Sequence, residues 1–129
     1  MTSSPEDWAG AFTNLTNEDP ELGAHGKFYS CSYMLDMGER KVIVDMHRGK
    51  VEKINLDPEP LDSYDFALRA PAETWRGMGE KVPGPMYHGI WAASFRKDLS
   101  MEGDLLVLMQ NLRALTRQIE ILRETGVPV

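Results

Sequence analysis

Three histidines, one cysteine and twenty acidic side chains are the raw material for metal, nucleophilic or acid–base chemistry in this 129-residue chain, and their spacing supports little of it. A metal site needs ligands converging from fixed spacings. His25, His47 and His88 stand far apart, and none has a second histidine or a cysteine three or four residues away. Asp45 and His47 share one strand face at i,i+2, the pattern of an exposed ion pair at a strand end. Ser94 and Cys31 lack a glycine elbow or an adjacent base. Arg76-Gly77-Met78-Gly79 lacks the third glycine and the preceding strand of a dinucleotide fingerprint. The paired acids Asp62 with Asp65, and Glu18 with Asp19, fall in stretches that read as solvated. No catalytic residue, metal ligand or cofactor is therefore expected.

The chemistry that remains is apolar. Trp75, Met78, Met86, Tyr87, Ile90, Trp91, Phe95, Met101, Leu105, Leu108, Met109 and Leu112 place two of the three tryptophans and four of the eight methionines within 38 positions. Such a group reads either as core between helices and sheet or as the lining of a pocket. Large flexible side chains near the Pro83-Gly84-Pro85 break suit an apolar pocket, with Tyr87 and His88 as polar groups to orient a ligand.

Elements of both kinds must position this group. Ser4 as N-cap, Pro5 at the first helical position, and Trp8, Ala11, Phe12 and Leu15 at helical spacing predict a first helix, followed by a loop over Asn17 to Gly26. From Lys27 the period becomes two, with Tyr29, Cys31, Tyr33 and Leu35 on one face and Phe28, Ser30, Ser32 and Met34 on the other. Val42, Val44 and Met46 alternate with Lys41, Ile43 and Asp45, and a turn at His47-Arg48-Gly49-Lys50 leads into Val51 to Leu56, completing an antiparallel meander. Tyr64, Phe66, Leu68 and Ala70 alternate with Asp65, Ala67 and Arg69 in a fourth strand. Helices are expected around Trp75 and Met78, stopped at Pro83, and over Met86 to Phe95. Leu99 and Met101 fit a short fifth strand ending at Gly103. Asp104 then caps one helix of about twenty residues, with Leu105, Leu108, Leu112, Leu115, Ile119 and Leu122 in a three-four rhythm closed by Gly126. That stripe suits a cover for one sheet face or, alternatively, a dimer seam. The fold class is α+β: a mostly antiparallel sheet with helices packed on one face.

Composition narrows the partners. With 42% hydrophobic and 26% charged residues the chain makes one compact domain, residues 1–26 forming an N-terminal helix and acidic loop and 27–129 the main body. A net charge of -6 argues against nucleic acid and against anionic membranes. One cysteine, no long apolar run and no basic-apolar leader predict a cytoplasmic location without stable membrane insertion.

In three places the sequence resembles the sterol-transfer domain of the sterol carrier protein type-2 family: Arg48-Gly49-Lys50-Val51-Glu52; Asp65-Phe66-Ala67-Leu68 followed by Trp75; and Phe95 to Asp104, where a short strand ends in Gly103-Asp104 before the closing helix. The resemblance covers residues 28 to 122. It implies a five-stranded sheet enclosing an apolar tunnel that takes lipids, fatty acyl chains or sterols, and, without a peroxisomal tail, a stand-alone bacterial member. The expected function is a non-enzymatic carrier of an apolar ligand, with the apolar residues above and His88 as its site. The alternatives are an enzyme using Tyr87 and His88 in the same pocket, or a module binding a second copy or a partner enzyme through its C-terminal helix.

Overall fold

The structure, a computed structural model, describes residues 4–25, 29–79 and 99–129. Helix α1 spans Pro5–Glu18, with the Ser4 hydroxyl accepting from the Asp7 amide at 3.1 Å and Pro5 opening the first turn. The expected loop after it is instead a second helix, α2, Pro20–His25. Its start is a local signal: Asp19 accepts from the Leu22 amide at 3.0 Å, and Pro20 has the φ a first helical residue needs.

Strands β1 Cys31–Asp36, β2 Lys41–His47 and β3 Lys50–Asn55 form the meander. At its second turn Arg48 and Gly49 both have positive φ (51° and 81°), the requirement of a two-residue turn matched to strand twist. A register shift beside Asp45 and Met46 leaves Glu52 unpaired. Strand β4, Phe66–Arg69, pairs parallel with β1, and β5, Ser100–Gly103, pairs antiparallel with β4, giving the order β3-β2-β1-β4-β5. β2 occupies one edge of β1, so β4 takes the other; β3 already runs parallel to β1, and residues 56–65 return along the sheet so that β4 starts in that same direction. Tyr64, expected beside Phe66 and Leu68, belongs to this crossover and packs on the opposite face with Met34, Ile43 and Ala67. Gly103 (φ 92°) permits close pairing at the end of β5, because a Cβ there would lie 2.8 Å from the Asp65 carbonyl oxygen.

Helix α3, Ala72–Met78, follows β4. The expected helices and breaker over 80–98 lie outside the described residues. After β5, Asp104 caps α4, Leu105–Gln110, accepting from the Val107 amide at 3.2 Å. The single long helix expected here is broken: Asn111 (φ -113°, ψ 15°) separates α4 from α5, Leu112–Thr125. Its side-chain amide donates to the Val107 carbonyl at 2.9 Å, the competition for helix carbonyls that a short amide offers. Gly126 closes α5 with φ 71°.

One apolar cluster joins these layers. Trp8, Phe12, Leu22, Trp75, Leu108, Leu115, Ile119 and Leu122 from the helices meet Tyr33, Leu35, Val42, Val44, Phe66 and Leu68 from the sheet. The leucines proposed for a dimer seam thus serve mainly the chain's own core: Leu108, Leu115 and Leu122 are essentially inaccessible.

Candidate functional site

The interface between sheet and helices holds polar groups almost wholly removed from water. Tyr29, two residues before β1, and Tyr33 point the same way by the strand's two-residue period, and α5 carries Gln118 over them. Both phenols donate to Gln118 Oε1, at 2.7 and 2.8 Å, while Gln118 Nε2 lies 3.4 Å from Met46 Sδ. All three side chains are buried. Burial raises both phenols well above the ordinary tyrosine range, so they stay neutral donors and retain lone pairs for a further donor. Cys31, between them on the same face, is pushed up to about 12, first by burial and then by the Asp65 carboxylate. A thiol held protonated is no nucleophile near neutrality.

Apolar side chains singled out by sequence share the same buried core. Trp75 and Met78 on α3 and Leu108 on α4 are buried in the common core, with the Trp75 indole N–H donating to the Asp36 carbonyl at 2.9 Å. Met101 and Leu112 are half-buried against the same core. Leu105 and Met109 stand half-exposed on α4. Met86, Tyr87, His88, Ile90, Trp91 and Phe95 lie outside the described residues. The Tyr29–Gln118–Tyr33 cluster is absent from the residues singled out by sequence. A signal for it exists: Gln118 interrupts the apolar stripe of Leu115, Ile119 and Leu122 at a core-facing position.

At the edge of this layer, Asp19 is buried rather than solvated as expected. Arg117 reaches it with Nη2–Oδ1 at 2.7 Å and Nε–Oδ1 and Nε–Oδ2 at 3.1 Å, and also pairs with Glu120 at 3.2 Å. The Arg117 guanidinium holds the Asp19 carboxyl below its usual range, and Asp19 holds Arg117 above its own. The pair ties the start of α2 to α5. Among the described residues, no group of three His, Cys, Asp or Glu side chains is placed to hold a metal ion. No helix there is long and apolar enough to cross a membrane.

A mixed five-stranded sheet covered by helices on one face, with a wholly buried polar cluster between the layers, defines an α+β architecture. The particular fold is that of sterol carrier protein 2. A crystal structure of sterol carrier protein 2 superposes with a TM-score of 0.73 at 20% identity, covering 91% of this chain and 94% of that one. The solution structure of a conserved hypothetical protein from Thermus thermophilus gives 0.70 at 20%, covering 98% and 94%. A UbiJ ubiquinone synthesis protein gives 0.55 at 12%, covering 92% and 96%. No protein-family model and no curated relative matches the sequence.

Proposed function

We propose that the protein binds and carries an apolar small molecule, a sterol, a fatty acyl chain or a similar lipid-like compound, between its sheet and its helices. The observation that carries this reading is the Tyr29–Gln118–Tyr33 cluster, a small set of oriented polar groups inside an otherwise apolar layer. That combination is the usual form of a small-molecule site: apolar walls supply affinity and a few polar atoms fix orientation. The proposed lining is Trp75, Met78, Met101, Leu108 and Leu112, together with Met86, Tyr87, His88, Ile90, Trp91 and Phe95 from the residues outside the described ones. The phenols are neutral and Cys31 is protonated, so the described groups favour holding a ligand over transforming it. The fold shared with sterol carrier protein 2 supports the ligand class, and the fold shared with a ubiquinone synthesis protein adds prenylated quinones to the panel worth trying.

Native mass measurement of gently purified protein, with displacement of a fluorescent acyl chain by sterols, fatty acids and prenylated quinones, tests the proposal. One saturable apolar ligand per chain is expected. Protein that is ligand-free and shows no saturable displacement removes the carrier reading.

A further inference from the structure

Helix α4 is apolar on two opposite faces. Leu108 is buried and Val107 packs on the core, while on the other side Leu105, Leu106 and Met109 remain 47%, 67% and 50% exposed. A helix needs one apolar stripe to reach its own core, and here a second is presented outward. From Leu105 to Leu112 no side chain carries a charge. Met109 and Leu112 continue the outward face into a hollow of about 590 Å³ beside α5, whose far side carries two acids, Glu21 and Glu120, and two bases, Arg113 and Arg117.

We infer that the outward face of α4 docks reversibly on a neutral lipid surface. Its size argues against a second copy of the chain. Three side chains at these exposures present on the order of 300 Å² of apolar surface, against ~800 Å² per partner in a stable protein interface. Its charge decides between lipids. The α4 face itself is uncharged and the hollow beside it carries two charges of each sign, so nothing there draws in an anionic surface and the protein at net charge -6 is repelled as a whole, whereas a zwitterionic surface takes the leucines and methionine without that cost. A short patch of this kind gives weak, reversible attachment. The docking stands apart from the carrier reading, to which it adds a place where apolar cargo enters or leaves.

The test is cosedimentation of the full chain with phosphatidylcholine vesicles and with vesicles containing added phosphatidylserine. Wild-type protein is expected to partition onto phosphatidylcholine, and less so as phosphatidylserine is added. The triple variant Leu105→Gln/Leu106→Gln/Met109→Gln keeps good helix formers at exposed positions and is expected to lose at least about tenfold in partition. Leu106→Gln alone, at the most exposed position, is expected to lose part of it with an unchanged urea midpoint, which guards against a triple variant that does not fold. Leu15→Gln on α1 is expected to partition like wild type. The inference is overturned if wild-type protein does not partition, if partition requires phosphatidylserine, or if the triple variant partitions normally. It is also overturned if light scattering shows a wild-type dimer that the triple variant dissolves, which gives the face to a second copy. Acyl-chain displacement on the same proteins keeps the two ideas apart: docking without any cargo binding leaves this face standing and removes the carrier.

Discussion

The two faces of the sheet come from the same five strands, yet different forces hold them. On the helical side Tyr33, Leu35, Val42, Val44, Phe66 and Leu68 interlock with side chains from every described helix around one satisfied polar cluster. On the other side Met34, Ile43 and Ala67 form a small apolar patch under Tyr64, and most of the contacts are polar: Ser32 to Asp45 at 2.6 Å, and Arg69 to Asp36 at 2.7 Å and to Glu102 at 2.8 Å. Burial in a dense interior stabilises through transfer and packing together, while half-exposed ion pairs trade water for protein at little net gain. The helical face should therefore carry the stability and the ligand. The crossover face should mainly fix the path of residues 56–65.

The largest test of this contrast deletes a wall from each side. Trp75→Ala removes a fully buried indole and its hydrogen bond to the Asp36 carbonyl, for an expected loss of ~3–5 kcal/mol. Ile43→Ala, in the small crossover-side patch closed by the half-buried Tyr64, is expected to lose ~2 kcal/mol, the low end for an aliphatic truncation. Urea unfolding of the two variants measures the ratio, and equal losses would erase the distinction between the faces.

The next test separates packing from polar satisfaction. Gln118→Leu leaves two buried phenols without their acceptor, an expected loss of ~2–3 kcal/mol. Adding Tyr29→Phe and Tyr33→Phe removes the stranded donors, and the triple variant is expected to recover much of that loss. Stability recovered together with weakened ligand binding marks the cluster as kept for the ligand. A triple variant as unstable as Gln118→Leu would show that the cluster contributes by packing alone.

A smaller effect comes from the edge of the helical layer. The Asp19 carboxyl is held below its ordinary value of 3.8 in the fold, so its contribution is present above that value and is lost as pH falls through the folded one. With Arg117 about one-third exposed, solvent screening limits the contribution to ~1 kcal/mol. Asp19→Asn is expected to be less stable than wild type by that amount at neutral pH. The two unfolding curves should converge as pH falls below 3.8 and through the lower folded value. A constant gap across pH would assign Asp19 to capping α2 alone.

Much of this architecture is legible in the sequence, for identifiable reasons. Strict alternation sorted Tyr33 from Met34 and Val44 from Ile43, because a strand's period of two leaves no other choice once one face is buried. Asp104 and Gly126 marked helix ends through the capping chemistry of their own backbone. What escaped depended on distant partners. Asn111 sits in an unbroken apolar rhythm, and only its bond to the Val107 carbonyl shows the break. Asp19 looks like a solvated acid until Arg117, far along the chain, is folded against it. Gln118 is similar: a polar residue in an apolar stripe signals something buried, but its partners become visible only when β1 lies beneath α5. The apolar residues between Trp75 and Leu112 stand out in the sequence as a group. Their division into buried Trp75, Met78 and Leu108 and exposed Leu105 and Met109 needed the helix break.

The smallest expected effect probes the crossover face where it is most ordered. Arg69 bridges Asp36 and Glu102 across three neighbouring strands, and its third guanidinium nitrogen, Nη2, donates to the Tyr64 hydroxyl at 3.2 Å. On distance alone this looks like a principal fastening. Exposure argues otherwise: Glu102 is half in water and Arg69 about one-third, so each charge gives up good hydration for a screened partner. Arg69→Gln is expected to lose ~0.5 kcal/mol in dilute buffer and still less near 1 M salt, where screening shortens to a few ångströms. A loss several times larger, insensitive to salt, would mean that the bridge pins β5 and the crossover onto β4. The crossover face would then hold the sheet together as firmly as the helices do.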